Sequence, residues 1–146
     1  MNLIELISDA WGWTGFAPKT VLSKNDFGNL IVEAHDGAIW RICPEELSCT
    51  IIAKNAIEFS RVAADAEFKI NWDMDRLTEV AQSELGALQE GRCYYFVIPP
   101  VLGGQYSAAN MKTLSLPELI GVSGEMAFQI KDLPDGATIR LAVDPK

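Results

Sequence analysis

The sequence has few of the residues that build metal and catalytic sites. Its 146 residues include one histidine, His35, and three cysteines, Cys43, Cys49 and Cys93. Zinc sites usually need closely spaced Cys or His pairs, whereas the two nearest cysteines are separated by five residues. His35 lies just before a turn signal and has no nucleophile signature beside it, so we expect an exposed loop residue. The sequence therefore predicts no metal, no cofactor and no catalytic residues.

The sequence also lacks a long apolar run, a secretory leader and an excess of positive charge. No stretch approaches the roughly 18 continuous apolar residues that a membrane-spanning helix requires. The N-terminus has acids where the apolar core of a leader would continue, and three cysteines in apolar surroundings indicate reduced thiols, so we expect a cytoplasmic protein. Twelve Lys and Arg against twenty Asp and Glu give a net charge of −8, which predicts no direct binding to nucleic acid and favours a basic partner.

The composition is that of a globular domain, and residues 1–54 carry the clearest local signals. Hydrophobic residues make up 49% of the chain and charged residues 22%. Apolar residues at helical spacing predict a helix over Asn2–Trp11, with Asn2 as its cap. An Asp-Gly pair at positions 36 and 37 predicts a hairpin. The β pattern on both sides of it predicts a three-stranded antiparallel meander over Asn29–Glu33, Ala38–Cys43 and Leu47–Ala53.

Residues 55–90 form an acidic helical segment. The periodicity predicts one helix from Asn55 to about Phe68 and another over Asp75–Leu88, closed by Gly91. Between positions 58 and 90 there are eight acids and three basic residues, so this stretch holds five of the eight net negative charges. Two interpretations stay open: the solvated face of two surface helices, or a docking surface for a basic partner.

Residues 91–146 predict a strand, a turn, a second strand, a helix and a last strand. Aromatic and β-branched residues indicate a buried central strand over Arg92–Ile98. The pattern then indicates a turn at Gly103-Gly104, a strand over Met111–Leu116, a final helix from Pro117 that Gly121 and Gly124 interrupt, and a terminal strand over Ala137–Val143. Together the three segments predict a single α+β domain over residues 1–146, with a mostly antiparallel sheet flanked by several helices.

Two blocks of the sequence resemble a known family. The first, Phe27–Glu33 continuing through Gly37–Leu47, resembles the N-terminal half of the GAD-like and Tdi-type immunity proteins of bacterial type VI secretion systems. The second, Gly91–Gly104 followed by Ala109–Lys112, resembles the C-terminal domain of that family, in which an aromatic strand runs into a Leu-Gly-Gly turn. The resemblance implies a cytoplasmic protein that binds and neutralises a toxin, typically a nuclease, without catalysing a reaction itself.

If the chain binds such a toxin, the acidic segment is the candidate partner-binding surface. An acidic binder can occupy the positive surface that a nuclease presents to its substrate. Aromatic residues often dominate interface energetics, so Trp72 is a candidate anchor. The predicted negative surface consists of Asp65, Glu67, Asp73, Asp75 and Glu79.

Two other classes of function stay open at this point. A small-ligand or regulatory module would use the aromatic residues around the Gly-Gly turn, which are Trp11, Trp13, Phe16 and Tyr106. An enzyme would have to rely on paired carboxylates, and the adjacent Glu45 and Glu46 would point to opposite faces of a strand. The sequence leaves the identity of the toxin, the stoichiometry of the complex and self-association open.

Overall fold

The computed structural model describes residues 2–134 and Gly136, and its largest β element is a four-stranded antiparallel meander. The strands follow one another in spatial order as β1 (Pro18–Lys24), β2 (Leu30–Ala34), β3 (Ile39–Cys43) and β4 (Ser48–Ala53). The predicted hairpin is confirmed, since the Ala34 N–H donates to the Ala38 carbonyl at 2.8 Å. The prediction of three strands omitted β1, an edge strand whose pairing with β2 is irregular at two points. An irregular, largely exposed edge strand gives no clean alternation of apolar and polar residues.

Helices α1 (Leu3–Trp11) and α5 (Leu116–Ile130) pack together and against one face of this sheet. Asn2 caps α1 as predicted, because its Oδ1 accepts a hydrogen bond from the Glu5 N–H at 2.9 Å. Helix α5 is continuous, so the predicted interruption by its two glycines is wrong. Gly124 instead allows the two helices to approach, because a Cβ there would lie 2.7 Å from the Ala10 Cβ. The core between sheet and helices consists of Ile7, Trp11, Phe16, Leu30, Val32, Ala34, Ile42, Leu47, Ile120 and Ala127.

The acidic segment folds into three helices, which are α2 (Ala56–Ala64), α3 (Ala66–Asp73) and α4 (Asp75–Leu85). The predicted single helix from Asn55 to Phe68 is therefore wrong. It breaks at Asp65, whose carboxylate accepts hydrogen bonds from the backbone N–H groups of Glu67 and Phe68 and so begins a new helix. Helix α4 ends before Gly86, earlier than predicted.

Helices α2 and α3 cover only part of the second face of the sheet. Neither helix has a fully buried side chain. They are attached through the half-buried rings of Phe59, Phe68 and Trp72, which pack against the side chains of Ile31, Ile39 and Ala53. The remaining part of this face, on β3 and β4, is left uncovered by the helices.

Strands β5 (Arg92–Phe96) and β6 (Met111–Ser115) form a separate two-stranded antiparallel sheet. The prediction that β5 is buried is confirmed for Tyr94 and Phe96, which pack around Phe27. The prediction that β5 is a central strand is wrong, because β6 is its one ladder partner within the described chain. Its apolar side chains are buried by Phe27 and by residues of the α4 region rather than by a second strand.

The turn between β5 and β6 is organised by one side chain. Asn110 donates through Nδ2 to the carbonyls of Ile98 and Gln105, at 2.8 and 3.0 Å, and accepts the Ile98 N–H through Oδ1. A Cβ on Gly104 would collide with the Ile98 carbonyl, so the Gly-Gly pair is part of a tight turn, as predicted. The predicted terminal strand over residues 137–143 lies outside the described residues.

The two antiparallel sheets and their flanking helices confirm the predicted α+β class. Within the described residues, no helix combines the length and the apolar character needed to cross a membrane.

Candidate functional site

The five acids of the predicted negative surface are all exposed on α3, α4 and their boundaries. Asp65 caps α3 and Glu67 lies in its first turn, while Asp73 ends the helix; Asp75 begins α4, and Glu79 follows one turn later. Across residues 2–134 the one ion pair joins Lys131 to Asp132. The charges of these five acids are therefore not neutralised by ion pairs with described residues.

Trp72 contacts the rest of the fold more extensively than a free anchor would. Its ring is half-buried against the sheet and stacks on Phe68, with the two centroids 6.5 Å apart. The Arg41 guanidinium lies 5.2 Å from the Trp72 ring centroid, which is a cation–π arrangement. Its role as a partner contact stays a prediction.

Two isoleucines of the helical segment are far more exposed than Trp72. Ile57 on α2 is 72% exposed and Ile70 on α3 is 75% exposed. Contiguous exposed apolar patches mark protein-binding surfaces, whereas single exposed apolar side chains such as these are common on any protein. The exposure of Ile70 was not predicted from the sequence. The signal was its position two residues from both Phe68 and Trp72, which pack toward the sheet, so that Ile70 points away from these rings.

A groove of about 700 Å³ lies over the uncovered part of the second sheet face. One wall is the sheet, where Arg41 and Cys43 of β3 stand beside alternate residues of β4, and the opposite wall is the junction of α3 and α4. The groove brings together two residues of the predicted negative surface, Asp73 and Asp75, with Glu45, Glu46 and Tyr106 from distant parts of the chain. The sequence analysis did not predict this groove.

A buried hydrogen-bond network holds the floor of the groove. The fully buried Asn29 donates through Nδ2 to Glu45 Oε2 at 2.9 Å, and its Oδ1 accepts from Arg41 Nη2 at 2.9 Å. Arg41 Nη1 also donates to Asn71 Oδ1 of α3 at 2.6 Å. The buried Asn25 donates to the Trp72 carbonyl at 2.9 Å. These amides and the guanidinium fix the end of α3 relative to the sheet.

Glu45 and Glu46 occupy different environments, although both lie in the 3₁₀ turn Pro44–Glu46 rather than in a strand. Glu45 is only 7% exposed, whereas Glu46 is exposed. Burial and then the charge of Glu45 raise the pKa of the Cys43 thiol. Burial and then the charges of Glu45 and Glu46 raise the pKa of the Tyr106 hydroxyl. The two carboxylates therefore give this end of the groove a negative potential.

The aromatic residues of the small-ligand alternative do not converge. Trp11 and Phe16 are buried in the main core, and Trp13 stacks on Trp11 at 6.1 Å and packs edge-on against Phe128 at 5.6 Å. Tyr106 instead packs edge-on against Phe96 at 5.2 Å. These four residues therefore do not form the common pocket that the small-ligand alternative would use.

The side chains that could ligate a metal or act in catalysis form no metal cluster in the described part of the chain. No group of three His, Cys, Asp or Glu side chains there is placed to hold a metal ion. His35 is exposed in the hairpin turn, as predicted. The three cysteines are free thiols, and burial raises the pKa of Cys49 to about 12 and that of Cys93 to about 11.

Comparisons with known proteins give a family and a fold. Residues 53–127 match the family described as "T6SS immunity protein Tdi1, C-terminal". The fold is similar to that in "Crystal structure of Atu4351 from Agrobacterium tumefaciens", with a TM-score of 0.55 and 18% sequence identity over 83% of this chain. The matched region spans 62% of that protein. No curated protein sequence matches the chain significantly.

Proposed function

This chain belongs to the family of the type VI secretion immunity protein Tdi1, and on that premise we propose that it binds and neutralises a cognate toxin. The observation that carries the proposal is the family match over residues 53–127, which includes all three helices of the acidic segment. The protein acts by binding in the cytoplasm, where it covers the active or substrate-binding surface of the toxin, and it catalyses no reaction itself.

We further propose that the toxin is a nuclease with a basic substrate-binding surface. A nuclease must attract the phosphate backbone of its substrate, so Lys and Arg collect around its active site. The exposed acids Asp65, Glu67, Asp73, Asp75 and Glu79 are complementary to such a surface, with Trp72 as an apolar contact. Complementary fields accelerate association and make it sensitive to salt, which suits an inhibitor that must act before the toxin does.

A test in cells addresses neutralisation directly. Deleting the gene in a strain with an active type VI secretion system should make the cells sensitive to their own sister cells, and expression of the chain should restore survival. Degraded chromosomal DNA or RNA in the dying cells would support a nuclease target. Normal growth of the deletion strain beside secreting sister cells would refute the proposed function.

A charge-reversal variant tests the acidic surface. Glu67, Asp73 and Glu79 are exposed, and their carboxylates accept no hydrogen bond from a described residue, so the variant E67K/D73K/E79K should fold normally. Once the toxin has been identified by its co-purification from the producing strain, we expect its association rate constant at low ionic strength to fall about tenfold or more. The rate constant should also lose most of its dependence on salt, as measured by surface plasmon resonance.

The matched control changes the net charge by the same amount on another part of the surface. Asp9, Glu125 and Asp132 are exposed on or beside α1 and α5, so D9K/E125K/D132K also raises the net charge by six units. Equal association rates for the two triple variants would show that only the net charge matters and would contradict a specific acidic surface.

A further inference from the structure

We propose that the groove beside α3 and α4 receives an extended segment of the toxin, and that an arginine side chain of this segment binds the carboxylates of Glu45 and Glu46 beside Tyr106. This inference rests on the proposed function and names the part of the partner that enters the chain. The groove lies between those helices and the sheet, and it shares Asp73 and Asp75 with the acidic surface.

The shape of the groove suits a short extended segment. Its volume is about 700 Å³, and the sheet wall presents Ser48, Thr50 and Ile52, which are alternate residues on one face of β4. These five consecutive strand positions span roughly 13 Å, so about five residues of an extended peptide can lie along them. Ile52 on the sheet and the exposed Ile70 on α3 both line the groove and would contact the aliphatic parts of such a segment.

The charge in the groove favours a cationic side chain. Its lining contains four acids, Glu45, Glu46, Asp73 and Asp75, and three basic residues. The guanidinium of Arg41 already donates to Asn29 and Asn71 and covers Trp72, so it is held within the fold. The two other basic residues, Lys69 and Arg76, belong to the helical wall rather than to the end formed by Glu45 and Tyr106.

The buried carboxylate of Glu45 is the strongest argument for a bound cation. More than nine-tenths of Glu45 is buried, yet it forms no ion pair with a described residue. Both of its oxygens accept from the same Asn29 Nδ2, at 2.9 and 3.2 Å, although a carboxylate has about four acceptor sites. Buried charges are normally paired, because leaving one unpaired is costly.

Tyr106 explains why arginine fits better than lysine. Its ring is 55% exposed and lies on the lining of the groove with both glutamates. A planar guanidinium can stack on an aromatic ring while its N–H groups donate to carboxylates, whereas an ammonium group offers a point charge.

Site-specific photocrosslinking in the producing strain tests this inference. The photoreactive residue p-benzoylphenylalanine is placed at Thr50 in the groove, at Glu67 on the acidic surface, and at Leu22 on β1 as a control. We expect a covalent adduct with the secreted toxin from position 50 and from position 67, and none from position 22. Mass spectrometry of the adduct from position 50 should identify a toxin peptide that contains arginine.

The outcomes separate this inference from the proposed function. Two results would refute binding of a toxin arginine in the groove while leaving the immunity function intact. One is an adduct with the toxin from position 67 but not from position 50, and the other is a crosslinked peptide from position 50 that lacks arginine. The absence of toxin adducts from positions 50 and 67 would refute both the groove and the acidic surface as contact sites, and normal growth of the deletion strain would refute the immunity function itself.

Two exposed substitutions provide a second measurement that does not endanger folding. Glu46→Lys and Tyr106→Ala should each raise the dissociation rate constant of the toxin complex about tenfold. Each change removes a group that contacts the bound arginine, and the loss of such a contact acts mainly on dissociation. Asp132→Lys, an equal charge change outside the groove, should leave it unchanged. Unchanged dissociation for both groove variants, with native circular dichroism, would overturn the inference.

Discussion

Replacing Asn29 by alanine should destabilise the protein more than any surface change, because Asn29 connects two charged side chains in its interior. Its amide donates to Glu45 and accepts from Arg41 Nε and Nη2. Asn29→Ala would remove both amide hydrogen bonds to the carboxylate of Glu45, which is only 7% exposed, and leave the Cys43 thiol as its neighbouring side-chain donor. Removing the partner of a buried charge costs about 3–5 kcal/mol.

Urea unfolding followed by circular dichroism measures this loss. With a slope of about 2 kcal/mol per molar urea, the midpoint for Asn29→Ala should fall by roughly 1.5–2.5 M. Asn71→Ala is the matched control, because Asn71 is also an amide that accepts from Arg41 but is exposed. An exposed interaction contributes about 1 kcal/mol or less, so the control should shift the midpoint by under about 0.5 M.

The comparison of the two amides decides whether the network stabilises the fold. Equal midpoints for Asn29→Ala and Asn71→Ala would refute the reasoning, because they would show that the buried charges are solvated after the substitution. In that event water would reach the floor of the groove and solvate the Glu45 carboxylate, so its attraction for a bound cation would be weaker.

Two further predictions concern packing and the thiols. Gly124→Ala should lower the free energy of unfolding by about 1–3 kcal/mol, because its Cβ would collide with Ala10. Gly121→Ala on the same helix, with no neighbouring atom within 4 Å, should be neutral or raise it by up to about 1 kcal/mol; equal thermal midpoints would contradict this. The stability should fall as the pH rises above about 8.5, because unfolded thiols then ionise while burial keeps the folded-state pKa of Cys49 at about 12 and that of Cys93 at about 11. Urea titrations between pH 7 and 10 measure this decline in the free energy of unfolding, which should be less steep for the variant C49A/C93A. Identical pH profiles for the variant and the wild type would contradict the prediction.

The sequence predicted the elements that short segments determine by themselves. The cap at Asn2 and the hairpin at Asp36-Gly37 depend on hydrogen bonds and turn geometry within a few residues. The break between α2 and α3 also has a local signal, the capping side chain of Asp65. That signal was outweighed in the prediction by apolar residues that continue at helical spacing across it.

The groove and the small sheet could not be predicted in this way, because they depend on contacts between distant residues. The network on the groove floor joins positions 29, 41, 45 and 71, whose polar side chains have no common spacing in the sequence. The apolar run of β5 correctly indicated burial. Whether strands or helices bury such a run is decided by packing, and here Phe27 and the α4 region do so.

The absence of fully buried side chains on α2 and α3 has a consequence for how this protein can evolve. Neither helix contributes a fully buried side chain, whereas the main core lies on the other face of the sheet. Most substitutions of exposed residues change stability by no more than about 0.5 kcal/mol. Mutations of exposed residues on these two helices can therefore accumulate while the folded population of the protein stays nearly constant.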